Sequence, residues 1–204
     1  MQARTTIRVV KGNDKLPTST YILNQNSAHD CPSAKMGKCA MRSKAQGGNG
    51  KCYALAPEIQ YPDCLPARRM DEIAWDNSTA EDMAKILLTA SKRARIHKMK
   101  EFRFSEAGDF KGQADVDKMT TLCKLIKADG VACYGYTARD DLDYTELMKV
   151  ATIQGSGFML TNNFEAYDPN EKDESDFDEV CVGDCNLCNF CMVLEDKVIG
   201  VPEH

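Results

Sequence analysis

The middle of the chain carries an apolar pattern that switches between the periods of helices and strands. After the N-cap candidates Asn77, Ser78 and Thr79, apolar residues recur at helical spacing to about His97. Farther on, the pattern predicts strands at 101–107, 131–137 and 157–160, and helices at 114–128 and 142–151. Successive strands begin about one βα unit apart, so this order predicts an α/β fold with a parallel sheet and right-handed crossovers.

Both ends of the chain lack such a pattern. Short apolar runs predict strands at 6–10 and 19–23 and an edge strand at 193–201, and an acidic loop covers 165–179. Residues 24–66 are rich in Gly, Asn, Pro and Cys, and an irregular stretch of this length is unusual in a compact protein unless something besides a core organises it. We therefore expect one domain, 1–204, with a βα core at 67–164 between irregular cysteine-rich segments at 1–66 and 165–204.

Composition points to sulfur chemistry in a reducing compartment. The chain has no secretory leader pattern and no apolar run of the roughly 20 residues that cross a bilayer, so we expect a cytoplasmic protein without a membrane partner. In such a compartment, ten cysteines indicate metal ligands or catalytic groups, because stable disulfides are not expected there. Only three histidines accompany them, and sulfur ligands select zinc, copper(I) or iron–sulfur clusters.

The tightest cysteine pattern lies near the C-terminus, where Cys181, Cys185, Cys188 and Cys191 follow one another at gaps of three, two and two residues. Short gaps let successive thiolates reach different corners of a [4Fe–4S] cube, whereas zinc sites usually pair two knuckles across a longer spacer. Iron–sulfur is favoured here, with zinc as the alternative. The first three cysteines also match the CxxxCxxC spacing of radical S-adenosylmethionine enzymes, but too few residues follow for a barrel, so an auxiliary cluster fits better.

A second and looser group comprises Cys31, Cys39, Cys52 and Cys64. The glycine-rich stretch before Cys52 can fold back and bring distant thiols together. Three ligands would leave one iron open to substrate or S-adenosylmethionine, whereas four would make a closed site, and the spacing leaves the role of Cys64 open. Ordinary free thiols are the alternative for the group. Cys123 and Cys133 lie in apolar patterns, and we expect them in the core as small hydrophobic residues.

Polar side chains follow three of the predicted strands at their carboxyl ends. The candidates for a pocket there are Glu106, Asp109, Tyr136, Arg139 and Asn163. Parallel sheets place sites at this edge, so we expect these side chains to converge. Turn formation and helix capping are the alternative explanation for each residue taken singly.

Charge is distributed unevenly along the chain. Residues 1–100 hold 17 Lys and Arg against 9 Asp and Glu, whereas residues 101–204 hold 9 against 22. The basic run 92–100 (Lys92 to Lys100) can contact the phosphates of a nucleic acid, or a host protein. Its alternative reading is the solvated end of a helix, where cations complement the dipole.

Several segments resemble the phage "gene product 88" family. Leu16-Pro17-Thr18-Ser19-Thr20-Tyr21-Ile22-Leu23, Cys31-Pro32-Ser33-Ala34 and Cys52-Tyr53-Ala54 are similar to its opening. Phe102-Arg103-Phe104 with Gly108-Asp109-Phe110, Tyr134-Gly135-Tyr136-Thr137-Ala138-Arg139 and Cys185-Asn186-Leu187-Cys188-Asn189-Phe190-Cys191 are similar to its later segments. The departures are a longer, glycine-rich gap between Cys39 and Cys52, alanine at 107 in place of serine, and Cys181 close to the final trio.

The resemblance implies a phage-borne protein that is distantly related to radical S-adenosylmethionine proteins with a partial barrel. It implies one ligand set of Cys31, Cys39 and Cys52, and a second that includes Cys185, Cys188 and Cys191. It implies no particular reaction. We therefore expect an iron–sulfur protein with an accessory or host-takeover role. The alternatives are a radical-S-adenosylmethionine-like enzyme acting on a nucleotide, nucleic acid or protein, and a zinc-containing nucleic-acid-binding module.

Overall fold

One eight-stranded sheet organises residues 7–202, the part of the chain that the computed structural model describes. Its strands, β1 to β8 in chain order, are Val10–Asn13, Leu16–Leu23, Glu101–Phe104, Ala132–Thr137, Thr152–Ser156, Asn162–Tyr167, Glu179–Val180 and Val198–Pro202. Their order in the sheet is β1-β2-β3-β4-β5-β6-β8-β7, and every neighbouring pair is parallel except β1 and β2. The α/β fold with a parallel sheet is confirmed.

Helices connect and cover these strands. They are α1 (Pro32–Lys35), α2 (Leu55–Gln60), α3 (Cys64–Asn77), α4 (Ala80–Arg93), α5 (Gln113–Lys127), α6 (Thr145–Met148) and α7 (Phe190–Val193), with 3-10 turns at Lys44–Gln46 and Glu174–Asp176. Among the described residues, no helix is both long enough and apolar enough to span a bilayer.

The hydrophobic core lies on the face of the sheet that α3, α4 and α5 cover. Phe102 and Phe104 of β3 alternate toward this face, as the period of a strand requires, and meet Leu87 of α4 and Leu122 of α5 in one cluster. Trp75, the single tryptophan, is fully buried there. Cys123 and Cys133 also belong to the cluster, so their expected place in the core is confirmed.

The opposite face of the sheet lies against the C-terminal cysteine segment. Gln154 of β5 donates its side-chain amide to the carbonyl of Cys191 over 2.9 Å, and Asn162 of β6 donates to the carbonyl of Leu194 over 2.8 Å. Helix α7 packs against β4 and β5. The C-terminal cysteine group therefore rests on the middle of the sheet.

Two predicted helices are shorter in the structure. The Thr79 side chain caps α4 by accepting from the backbone N–H of Asp82, but the helix ends at Arg93 and not near His97. The backbone turns extended at Ala94, and His97 has a positive φ of 60°. The helix predicted at 142–151 is the single turn α6, and the stretch 24–66 contains α1, α2 and the start of α3.

Strand boundaries differ more. The strand predicted at 157–160 is wrong, because Gly157 (φ 85°) opens a short connection between β5 and β6, which run parallel without an intervening helix. Strand β3 ends at Phe104, since Ser105 takes a positive φ of 56°.

At the two ends of the chain, the predicted strands shift. The strand predicted at 6–10 overlaps β1 only at Val10, and Thr6 lies outside the described residues. The strand predicted at 19–23 begins earlier, at Leu16. The segment predicted as an edge strand at 193–201 overlaps β8 only at 198–201, and β8 is an inner strand because it pairs with both β6 and β7.

Candidate metal centre

The four C-terminal cysteines surround one cavity. Cys181, Cys185, Cys188 and Cys191 all line it, together with Tyr134 of β4 and residues of the loop between β7 and α7. Gly183, with a φ of 74°, turns the chain back within this loop. The backbone N–H of Cys185 donates to the carbonyl of Lys15 over 3.0 Å and so ties the loop to the β1–β2 hairpin.

Hydrogen-bond donors point at two of these sulfur atoms. The backbone N–H of Phe190 lies 3.5 Å from the Cys188 Sγ, and the Tyr136 hydroxyl donates to the Cys191 sulfur. Burial raises the pKa of Cys191 to about 11, although the Tyr136 hydrogen bond and the charge of Arg103 lower it. Burial thus favours the protonated thiol, whereas the nearby donors and the positive charge favour a deprotonated sulfur.

Three N-terminal cysteines form a second group at the carboxyl ends of β2 and β3. Electrostatic contacts link Cys39 to both Cys31 and Cys52. The Cys31 sulfur lies at the start of α1 and accepts hydrogen bonds from the backbone N–H groups of Ser33 and Ala34. The Cys39 sulfur accepts from the backbone N–H groups of Met41 and Arg42. Burial raises the pKa of Cys31 to about 12, against the effect of its backbone donors.

Cys64 takes a different place from the other N-terminal cysteines. It begins α3 and makes an electrostatic contact with Arg8, whose guanidinium is paired with Asp71. The cysteine that acts electrostatically on Cys31 is Cys39, and the cysteine that acts on Cys39 is Cys52.

A buried carboxylate, Asp109, joins the N-terminal cysteine group to the sheet. It accepts hydrogen bonds from the hydroxyls of Ser33 and Thr137 and from the backbone N–H groups of Phe110 and Ala138. Burial raises its pKa, and these four donors act in the opposite direction. Its negative charge raises the pKa of both Cys31 and Cys39.

A run of buried polar residues holds the same edge together. After β2, the chain continues as Asn24, Gln25, Asn26 and Ser27, all with relative exposures of 3% or less. The Asn26 amide forms two hydrogen bonds with the backbone of Asp109, at 2.7 and 3.0 Å, and the Asn24 side chain accepts from the backbone N–H of Ala107 over 2.8 Å. Sequence reasoning assigned this run to an irregular segment. The one feature of the sequence that indicates its role is the series of amide side chains directly after a strand.

Arg103, which sequence reasoning also missed, lies between the two cysteine groups. It projects from β3 on the face opposite the hydrophobic core, where its guanidinium carbon is 4.9 Å from the centre of the Tyr136 ring. One terminal nitrogen donates to the Tyr53 hydroxyl over 3.2 Å, and Tyr53 follows Cys52. Its charge lowers the pKa of Cys185 and Cys191, and its buried Nε has no hydrogen-bond partner within residues 7–202.

The structure divides the five strand-end candidates among different places. Asp109 and Arg139 share one corner, where Arg139 donates to the carbonyls of Phe110 and Lys111 and pairs with Asp141. Glu106 and Tyr136 both act electrostatically on Arg103, and the Glu106 carboxylate accepts from Asn13 over 2.6 Å. Asn163 is opposite Gly155 in the sheet, and its backbone N–H donates to Lys197.

The basic run 92–100 lies at the end of α4. Lys92 and Arg93 occupy the last turn of the helix, and Lys92 pairs with Asp129 at 3.0 Å. His97 bonds to the Thr18 hydroxyl over 2.6 Å. The helix-end reading accounts for the first part of this run.

No group of three or more His, Cys, Asp or Glu side chains in residues 7–202 is arranged to hold a metal ion. The cysteines instead surround a cavity in the C-terminal group and lie along a loop in the N-terminal one.

A family model described as Gene product 88 matches residues 2–153. This match confirms the family resemblance that the sequence segments indicate. It includes the N-terminal cysteines, Arg103 and Asp109 and ends before Cys181, so the place of the C-terminal run in the family stays a prediction. No curated protein and no solved structure matches the chain.

Proposed function

Because the chain belongs to the Gene product 88 family of phage proteins, we propose that it binds iron–sulfur clusters and acts as an accessory or host-takeover protein in the host cytoplasm. One observation carries the proposal: four thiols from an eleven-residue run line a single cavity on the sheet. Thiolates at such short gaps are the ligands of iron–sulfur clusters.

The chemistry of the donor set, four thiols, supports a [4Fe–4S] cluster in the C-terminal cavity as the proposed cofactor. Cys181, Cys185, Cys188 and Cys191 would hold it, and the N–H of Phe190 and the hydroxyl of Tyr136 supply the hydrogen bonds that cluster ligands commonly receive. The short gaps of the run are typical of the ligands of iron–sulfur clusters, whereas zinc sites usually pair two knuckles across a longer spacer, and this difference favours the cluster.

The N-terminal group would hold a second cluster through Cys31, Cys39 and Cys52. Four backbone N–H groups already point at two of these sulfur atoms. The loop that carries them has little regular structure, and only a small apolar cluster of Ala28, Ala54 and Ala107 lies beneath it. A bound cluster would therefore organise a segment that side-chain packing alone holds weakly, which suits an accessory protein whose shape depends on its metal.

An enzymatic role is the second candidate, and one feature favours it. The three N-terminal cysteines lie at the carboxyl ends of parallel strands, where open α/β sheets bind ligands, and Tyr53 and Arg103 adjoin them. A cluster with three protein ligands keeps one iron open for S-adenosylmethionine or substrate, and the chemistry that such a cluster supplies is one-electron reduction.

Metal analysis and EPR spectroscopy of anaerobically purified protein test both candidates. The proposal expects iron and inorganic sulfide in equal amounts, with loss of about half of them in Cys185→Ser and no loss in the matched core variant Cys123→Ser. Added S-adenosylmethionine should change the EPR signal of the reduced protein only if the enzymatic candidate holds. Zinc without sulfide, together with steeply salt-dependent DNA binding that is lost when Lys92, Lys98 and Lys100 are neutralised, would favour the zinc-containing nucleic-acid-binding module instead.

A further inference from the structure

Arg103 occupies a place that its ordinary structural roles do not explain. It belongs to β3, a strand buried between β2 and β4, and a guanidinium is costly to remove from water unless a partner compensates it. The contacts present are one neutral hydroxyl, that of Tyr53, and the face of the Tyr136 ring. Its Nε–H is buried and has no acceptor in residues 7–202.

The carboxylate that acts electrostatically on this guanidinium does not form an ion pair with it. Glu106 acts on Arg103 electrostatically, but its side chain accepts from Asn13, and its carbonyl accepts from the Tyr53 hydroxyl. Glu101, the acidic residue of β3, accepts from the hydroxyls of Ser19 and Thr20. The described residues therefore contain no ion pair for Arg103.

The cysteines would be the remaining source of negative charge beside it once they bind a metal as thiolates. Arg103 acts electrostatically on Cys185 and Cys191 of the C-terminal cavity. It also contacts Tyr53, on which Cys52 of the N-terminal group acts electrostatically. One cation thus lies between two sets of sulfur ligands. A thiolate-bound cluster is anionic, and the charge near it and the hydrogen bonds to its sulfur atoms set its reduction potential.

We propose that Arg103 is the charge-compensating residue of the C-terminal cluster and that it raises the reduction potential of this cluster. This inference rests on the proposed function. When the oxidised cluster takes up one electron from a reductant such as dithionite, the site gains one negative charge and no bond is broken. A fixed cation in a poorly solvated place stabilises that reduced form more than the oxidised one. Arg103 is here a positioning residue, not a metal ligand.

A redox titration of the anaerobically purified holoprotein, followed by EPR, tests the inference. In Arg103→Gln the midpoint potential of the C-terminal cluster should become more negative. At the wild-type midpoint, the reduced-to-oxidised ratio should fall about tenfold, which is 59 mV for one electron. Arg103→Lys keeps the charge without the planar fork and should fall between the two. The matched control is Arg95→Gln, which removes an exposed arginine beyond the end of α4 on the other side of the sheet and should leave the midpoint unchanged.

Each outcome separates this inference from the proposed function. A wild-type protein without iron and sulfide would end the proposed function itself. A loaded wild type whose midpoint matches that of loaded Arg103→Gln would overturn only the role of Arg103. Should Arg103→Gln fail to take up iron, Arg103→Met decides, because it also removes the charge while keeping an unbranched side chain, and a midpoint equal to that of the wild type in that variant would overturn the inference.

Discussion

At the scale of single residues, the site depends on polar side chains that the fold has buried and paired. Asp109 is the clearest of these, since its carboxylate collects four donors from three parts of the chain: Ser33 beside the first cysteine, Phe110, and the Thr137–Ala138 corner after β4. A buried carboxylate with this many partners fixes the position of each. Asp109 therefore helps to hold the loop that carries Cys31 to the sheet, together with the buried amides of Asn24 and Asn26.

Asp109→Ala should lower the free energy of unfolding by about 2–5 kcal/mol, because it leaves two buried N–H groups and two hydroxyls without their acceptor. Urea denaturation followed by the fluorescence of the single, buried Trp75 measures the loss. Asp117→Ala, on an exposed part of α5, is the control and should change stability by less than about 0.5 kcal/mol. Equal stability of the two variants would contradict this role for Asp109.

Gly108→Ala should also destabilise the fold, by more than about 2 kcal/mol. Gly108 has a φ of 79°, and an added Cβ would stand 2.0 Å from the Asn26 side-chain oxygen. The same denaturation measurement applies. Gly112→Ala is the matched control, since an added Cβ there meets nothing within 4 Å. A neutral Gly108→Ala variant would mean that Asn26 does not hold this turn as tightly as the contacts indicate.

Part of this residue-scale picture could be predicted from the sequence. Asp109 and Arg139 were recognised as strand-end candidates because parallel sheets bring such ends to one edge. Arg103 could not be recognised in this way, because an arginine within a strand does not by itself indicate a functional site. Its role depends on Tyr136 of the neighbouring strand and on Tyr53 of the loop, which contact it only in the folded chain. Partners far apart in sequence decide such roles, and a one-chain pattern does not contain them.

At the scale of elements, the molecule has a packed part and two segments without much packing of their own. The hydrophobic core draws on β2 to β5 and on α3 to α5, and the candidate metal ligands lie outside it. Secondary structure follows this division. Long periodic segments such as α5 were predicted within a residue or two, whereas α1, α2 and α7 have only four to six residues and present no periodic face.

Removal of the metal should therefore loosen the cysteine segments and spare the core. After treatment with a chelator and an oxidant, hydrogen exchange should speed up in residues 24–64 and 181–194, while α5 and β3 keep their protection and Trp75 its buried emission. Protection in both segments that survives complete metal loss would contradict the idea that clusters organise them.

The corner after β4 should give a pH-dependent contribution to stability. Arg139 pairs with Asp141 and holds its pKa below the ordinary value of about 3.9. Because the pKa of Asp141 is lower in the folded than in the unfolded state, the ion pair stabilises the fold at pH values above the ordinary pKa, and this stabilisation is lost as the pH falls below it. Asp141→Asn should hence be less stable than wild type at pH 7, with a difference that shrinks toward pH 2. Unfolding curves at both pH values measure this, and a difference that does not depend on pH would refute the ion-pair explanation.

At the scale of the whole molecule, the sheet brings together two cysteine groups that lie more than a hundred residues apart. The family match includes the N-terminal group and ends at residue 153, so the place of the C-terminal group in the family pattern stays a prediction. The class of sheet could be predicted from the spacing of strands. The position of the C-terminal segment on the face of the sheet opposite the core could not be predicted. It depends on side-chain amides such as those of Gln154 and Asn162, which donate to backbone carbonyls only in the folded chain.

The most direct test of the central claim is the content of iron, inorganic sulfide and zinc in protein purified without oxygen. The account predicts a brown protein with about four irons per chain for one cube or about eight for two, and an equal amount of sulfide. A colourless protein that folds equally well with zinc, or with no metal at all, would contradict it.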